Sequence, residues 1–112
     1  MSARAQVLLW TAQRVSAMVL ALCVVVHLVT MIYAVRHGLS AAEILGRTRG
    51  NHAWLAFYGL FVAAVAIHAP IGLRTLLAET FNWRGMALDV TVLAAGAALA
   101  LWGWRAVLAV FG

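Results

Sequence analysis

The chain has 112 residues, of which 66% are hydrophobic and 10% are charged, and its mean hydropathy is +1.00. A water-soluble domain of this size buries only about 60–70% of the surface that its unfolded chain exposes, so it could not hide this much apolar surface. Lipid is therefore the expected solvent. The net charge of +5 comes from arginines at the ends of apolar segments rather than in one patch, which indicates anchoring at a membrane interface and not nucleic-acid binding.

Composition also excludes several kinds of cofactor site. The chain has one cysteine, Cys23, so it cannot form an internal disulfide, hold an iron–sulfur cluster or attach a haem covalently. No glycine-rich phosphate loop follows a strand pattern, so no nucleotide or flavin pocket is indicated. Redox chemistry in this chain would need a cofactor held without covalent bonds.

Three apolar segments are each near the roughly 20 residues that an α-helix needs to cross the hydrocarbon core of a membrane. They run from about 7 to 35, from about 53 to 77 and from about 86 to 111. The first is longer than the apolar part of a secretion signal and contains His27, which predicts a retained helix. The sequence thus predicts an all-α membrane protein with three transmembrane helices in a single domain, 1–112.

The connections and the third helix carry weaker patterns. Ser40 and, three residues later, Glu43 form a capping-box pattern, which predicts a short interfacial helix that ends near Gly46 or Gly50. The third helix has small residues at the spacing of close helix packing; they are Ala87, Thr91, Ala94, Ala95 and Ala98.

Arginine placement does not select an orientation in the membrane. With the amino terminus inside, four arginines lie on each side, so the positive-inside rule gives no preference. The inner set is Arg4, Arg14, Arg74 and Arg84, and the outer set is Arg36, Arg47, Arg49 and Arg105.

Two histidines, His27 and His68, fall inside the predicted spans, where an ionisable side chain is expensive and indicates a function. His37 and His52 stand at segment ends, where water or headgroups can satisfy them. On the first helix, a rotation of about 100° per residue gathers most polar groups into a stripe that we expect to face protein. This stripe consists of Gln13, Ser16, Leu20, Cys23, His27 and Thr30.

On the second helix, the face that carries His68 is aromatic and then small. Gly72, one turn beyond His68, would leave room for a flat macrocycle coordinated by that histidine, which favours haem ligation over a plain interhelical hydrogen bond. Pro70 frees the carbonyl of Ala66 and predicts a bend. The whole face consists of Trp54, Phe57, Phe61, Ala64, His68, Gly72, Thr75 and Glu79.

The two histidines are expected at different depths. If Arg14 and Arg74 mark the same membrane face, His27 lies about 20 Å and His68 about 9 Å from it, at about 1.5 Å of rise per residue. A haem at either depth would need its second axial ligand from another chain, and three thin helices cannot enclose a porphyrin alone. The three transmembrane helices are thus expected to form half of a haem-binding helical bundle.

Taken together, these elements resemble the cytochrome b membrane-anchor subunits of succinate dehydrogenase and fumarate reductase. The likeness covers the first two long helices, roughly two-thirds of the chain, and the three-helix layout agrees. The residues that carry it are Gln13, Arg14, Val15 and Ser16, then His27, then the run from His68 through Pro70 and Gly72 to Arg74, and Glu79.

The resemblance implies a complex in which a flavoprotein subunit interconverts succinate and fumarate, an iron–sulfur subunit docks on the anchor, and the anchor exchanges electrons with membrane quinone. By position it implies that His68 is an axial ligand of haem b and that His27 is the ligand of a second haem. It places Arg14 and Ser16 at the quinone pocket and the amino terminus in the cytoplasm of a bacterial inner membrane. A second anchor chain, identical or paralogous, would complete the haem site, with lipid and no nucleic acid around it.

Some positions leave roles open. Gln13 stands where many relatives have histidine, and Thr80 stands where some partner anchors have a tyrosine. Arg74 is expected either to pair with a haem propionate or to extend its charge to the membrane interface. Glu79 and Asp89 are candidates for proton uptake.

Three functions fit these features. The first is a haem b-containing, quinone-reactive anchor, with the dicarboxylate and flavin chemistry on other chains. The second is a haem-free structural anchor whose histidines only form hydrogen bonds. The third, a small proton-coupled transporter subunit, is the least favoured because the sequence has no intramembrane carboxylate or inverted repeat.

Overall fold

The computed structural model describes residues 2–112, and this part of the chain is helical without any strand. Three of its helices are long and apolar enough to cross a membrane, which confirms the predicted three-span architecture. The helices in chain order are α1 (Ala3–His37), α2 (Ala41–Thr48), α3 (His52–Phe81) and α4 (Met86–Phe111).

Helix ends follow capping chemistry rather than the limits of apolar sequence. At the start of α3, the Asn51 side chain accepts hydrogen bonds from the backbone N–H groups of Ala53 and Trp54, as expected of an N-cap. The helix ends at Asn82, which adopts the left-handed conformation at φ 52°. Because Glu79 and Thr80 are polar but do not break a helix, α3 extends four residues beyond the predicted end at 77.

The predicted capping box is confirmed in α2. The Ser40 hydroxyl accepts from the Glu43 N–H at 3.2 Å, and a Glu43 carboxylate oxygen accepts from the Ser40 N–H at 3.4 Å. At its other end, the Thr48 hydroxyl donates to the Val110 carbonyl at 2.8 Å. The short helix is thereby attached to the carboxyl-terminal end of α4.

The three long helices form a thin layer with α3 between α1 and α4. The molecule measures 49 × 24 × 22 Å. Large apolar side chains such as Trp10, Leu22 and Phe81 are more than 60% exposed, and in water this much exposed apolar surface would be costly. Lipid or partner chains therefore cover most of the surface.

Glycines of α4 set the close approach between α3 and α4. A Cβ added at Gly96 would lie 2.9 Å from Cγ of Pro70, and one added at Gly103 would lie 2.8 Å from Cγ1 of Val62. Both distances are shorter than side chains tolerate, so glycine is required at these positions for the helices to come this close.

The predicted small-residue face of α4 packs only partly within the chain, since Ala95 and Ala98 are half-buried. Ala87, Thr91 and Ala94 are exposed, because the helix turns a different face toward α3. The buried residues of α4 are Leu88, Val92, Gly96 and Val107.

Candidate cofactor site between α1 and α3

The predicted polar stripe of α1 faces protein, as expected. Ser16 is 5% exposed and Cys23 is 2% exposed, while Ala64 on α3 is 5% exposed. We call the contact between these two helices the α1–α3 seam. Histidines lie in this seam at two depths.

At the first depth, His68 is half-buried and contacts Ser16. Its ring Nδ1 lies 3.4 Å from the Ser16 Oγ, and that Oγ also lies 3.1 Å from the backbone carbonyl oxygen of Gln13. Within residues 2–112, the ring Nε2 makes no hydrogen bond and is not among the fully buried atoms. The imidazole is therefore held on one nitrogen and free on the other.

Beside His68, Gly72 contacts Gln13. A Cβ added at Gly72 would lie 3.2 Å from the Gln13 Nε2, so in this chain alone the amide occupies the space that the sequence reserved for a macrocycle. The Gln13 Oε1 is buried and has no hydrogen-bond partner among the described residues. An unsatisfied buried acceptor costs about 1–3 kcal/mol. Because the Gln13 Oε1 has no hydrogen bond to lose among the described residues, displacement of this flexible side chain would not break one.

At the second depth, His27 contacts two aromatic residues of α3. Its Nδ1 lies 3.5 Å from the Tyr58 hydroxyl, and the Phe61 ring meets it edge-on at 5.8 Å between centroids. His27, Tyr58 and Phe61 all line an apolar cavity of about 500 Å³, which Trp102 of α4 also lines. Sequence reasoning missed Tyr58; an aromatic hydroxyl in the second turn of a spanning helix would have indicated it.

These contacts place the two histidines at different levels, as the sequence predicted. His27 contacts Tyr58, which precedes His68 by ten residues of α3, and this is about 15 Å at about 1.5 Å of rise per residue. The sequence-based separation was about 11 Å at the same rise. One haem cannot take both histidines of one chain as its axial ligands.

Arg74 has a partner that the sequence analysis did not identify. Its Nε donates to the Asp89 Oδ1 at 2.9 Å, and the side chains are 34% and 50% exposed. The pair joins α3 to α4 close to the turn that connects them, where opposite charges 15 residues apart could have predicted it. It borders a second cavity of about 930 Å³, which Trp10 and Gln13 also line.

The two residues assigned to the quinone pocket have different surroundings. Ser16 is buried in the α1–α3 seam, whereas Arg14 is exposed and its guanidinium lies 5.2 Å from the centre of the Trp10 ring. Glu79 is exposed near the end of α3. Arg14 is thus available to a neighbouring molecule, and Ser16 to His68.

The described residues fit single-histidine ligation better than a metal site built from several side chains. No group of three or more His, Cys, Asp or Glu side chains within residues 2–112 could hold a metal ion. Haem iron is commonly held by histidine nitrogens, and the Nε2 of His68, which makes no hydrogen bond within residues 2–112, is an atom of this type.

Fold and site together define a small, three-span helical membrane protein with histidines at two depths between its helices. The family model of the succinate dehydrogenase/fumarate reductase transmembrane subunit matches residues 1–111, and the chain belongs to this family. It is a multi-pass membrane anchor of the cytochrome b type, which confirms the resemblance inferred from the sequence. Neither the curated proteins nor the solved structures gave a significant match.

Proposed function

We propose that the chain is the haem b-containing anchor of a succinate/fumarate:quinone oxidoreductase and carries electrons between the iron–sulfur subunit and membrane quinone. Family membership supports the anchor role. One observation carries the haem role: His68 is half-buried in a spanning helix, with Nδ1 beside Ser16 and no hydrogen bond to Nε2 within residues 2–112. This arrangement presents one ligand atom to a neighbour outside the chain.

Each residue near His68 has a proposed part. His68 would hold the haem iron through Nε2, and Gly72 would admit the ring edge once the Gln13 amide moves aside. Arg74 uses its Nε for Asp89, and the remaining guanidinium N–H groups would pair with a propionate. When bound, a haem with two imidazole ligands supplies one-electron transfer without an open position for oxygen.

A second chain is required by the number of ligands. This chain offers one histidine at each depth, so the opposing ligand at the His68 level would come from another anchor, identical or paralogous. His27 is proposed as the ligand of a second haem in the same assembly. The bundle formed by the two chains would enclose the haem, which three helices alone could not surround.

Electron delivery defines the remaining partners. We place the amino terminus in the cytoplasm of a bacterial inner membrane, with the iron–sulfur subunit on that side and the flavoprotein subunit bound to it. Arg14 is exposed near this end of α1, which suits contact with quinone or with the docked subunit.

A haem-free structural anchor is the second candidate, and a specific observation favours it. Ser16 and Gln13 already contact His68 and Gly72, so the α1–α3 seam closes without a cofactor. In that case His68 would serve only as an interhelical hydrogen-bonding residue, worth about 1 kcal/mol.

A reduced-minus-oxidised absorption spectrum distinguishes the two candidates. Membranes containing the chain with its partner subunits are expected to show b-type bands, and His68→Ala should remove those of the haem at the His68 level. His37→Ala is the matched control, because His37 is exposed at the end of α1 and stacks on Tyr33. Unmodified membranes without these bands would establish the haem-free anchor, and a spectrum that His68→Ala leaves unchanged in shape and intensity would assign the ligand to another residue.

A further inference from the structure

Ser16 has a single hydroxyl proton and two neighbours that compete for it. The Gln13 carbonyl oxygen, at 3.1 Å, can only accept, whereas the His68 Nδ1, at 3.4 Å, can donate or accept according to its tautomer. The carbonyl is the closer acceptor, and a helix serine that bonds to the carbonyl of the preceding turn is a common arrangement. The serine proton is thus directed to Gln13.

This use of the proton determines the state of the ring. When the Ser16 hydroxyl donates its proton to the Gln13 carbonyl oxygen, the Ser16 oxygen can only accept from His68. The histidine must then carry its proton on Nδ1. A neutral imidazole has one N–H, which leaves the lone pair on Nε2. Because Ser16 is 5% exposed, water has little access to replace the hydroxyl.

We infer that Ser16 is a positioning residue, which holds His68 in the tautomer whose Nε2 lone pair can ligate the haem iron. This inference rests on the proposed haem role of His68. It also moves Ser16 from the quinone pocket, where the family resemblance placed it, to the support of the axial ligand. Outer partners of this kind fix the orientation of a metal-binding histidine and raise its basicity.

The other histidine of the α1–α3 seam lacks this arrangement. The Tyr58 hydroxyl lies 3.5 Å from the His27 Nδ1, and within residues 2–112 no carbonyl competes for its proton. The tyrosine can therefore donate or accept, and the tautomer of His27 is not determined by its partner. Of the two histidines, only His68 therefore has a partner that fixes its tautomer within residues 2–112.

The test is Ser16→Ala in the assembled complex, with the haem midpoint potential and the electron paramagnetic resonance spectrum as readouts. Loss of the acceptor makes the imidazole a weaker donor to ferric iron, so the midpoint potential should rise and the low-spin signal should shift. Ser16→Thr keeps a hydroxyl and should restore both. Thr91→Ala is the control, because the Thr91 hydroxyl also bonds to a helix carbonyl, at 2.7 Å, but contacts no histidine.

The outcomes separate this inference from the proposed function. An unmodified complex without haem bands refutes the haem proposal, whatever Ser16 does. A Ser16→Ala complex with an unchanged potential and spectrum, but an altered KM for quinone, overturns the inference and returns Ser16 to the quinone pocket. If the alanine variant does not assemble, Ser16→Cys provides the same test, because sulfur is a weak acceptor of similar size.

Discussion

Gln13 and Gly72 form a contact in which one partner is flexible and the other has no side chain. The Cβ of an alanine at Gly72 would lie 3.2 Å from the end of the Gln13 amide, which can move away. We therefore expect Gly72→Ala to fold with a change in stability within about 1 kcal/mol, the helix-propensity difference between the two residues. If Gly72 admits a ring edge, the variant should bind less haem per protein.

Gly59 provides the matched control for this prediction. It is in the same helix, and a Cβ there would make an ordinary contact, 3.5 Å from Cζ3 of Trp104. Haem content, from the pyridine haemochrome spectrum, should fall in Gly72→Ala and remain unchanged in Gly59→Ala. Equal haem content in the two variants would contradict a role for Gly72.

The Arg74–Asp89 pair is short but partly exposed, so its contribution to stability should be small. Its side chains are 34% and 50% exposed, and exposed ion pairs are typically worth about 0.2–1 kcal/mol. In a double-mutant cycle of Arg74→Gln and Asp89→Asn, measured by unfolding in mixed micelles, we expect a coupling energy in that range. A coupling of several kcal/mol would show that lipid or a partner chain desolvates the pair.

At the scale of helices, contact between α3 and α4 depends on where glycine lies. A Cβ at Gly96 would meet the Pro70 ring at 2.9 Å, and this ring cannot rotate away as a flexible side chain would. Gly96→Val should therefore destabilise the assembly by about 1–3 kcal/mol, the usual cost of overpacking. Ala94→Val adds similar bulk on the exposed face of α4 and is the control.

Size-exclusion chromatography after heating, with a fluorescent fusion, measures this difference. The Gly96→Val variant should lose its monodisperse peak at a lower temperature than the unmodified chain, whereas Ala94→Val should not. Equal losses would mean that Gly96 is not a contact point between α3 and α4.

This packing face also shows how far sequence patterns reach. Segment hydropathy predicted the three spans, and the Ser40–Glu43 pattern predicted α2, because membrane thickness and capping are local constraints. The helix face that meets Pro70 depends on rotation about the helix axis. Alanine and glycine both satisfy a small-residue pattern, so Ala94 was chosen where Gly96 makes the contact.

The site was predicted to a similar extent. The depth and polarity of His27 and His68 follow from position in a span, and the structure places both in the α1–α3 seam. Their contacts with Ser16 and Tyr58 depend on how α1 and α3 align along their axes. The sequence of each helix does not specify this alignment. The Arg74–Asp89 pair, by contrast, could have been predicted from opposite charges on the two sides of a short turn.

At the scale of the whole molecule, the separation of the two histidine levels predicts independent effects. The contacts of His27 and His68 lie about 15 Å apart along α3, at about 1.5 Å of rise per residue. We expect His27→Ala to leave the absorption bands that depend on His68 intact, and to remove a second set of bands if the assembly holds two haems. Loss of all bands in both variants, in intact complexes, would contradict independent levels.

Orientation in the membrane is also a property of the whole molecule, because it is not fixed by any local pattern. Four arginines lie on each side of the three spans, so loop charge does not favour either topology, and docking of the soluble subunits would have to select one. With the amino terminus in the cytoplasm, as proposed above, three spans put Gly112 on the outer side of the membrane. We therefore expect alkaline phosphatase fused after Gly112 to be active and green fluorescent protein fused there to be dark. Fusions after Asn82, between α3 and α4, should give the reverse result. The opposite pattern at both positions would place the amino terminus outside and Arg14 on the wrong face for an iron–sulfur partner.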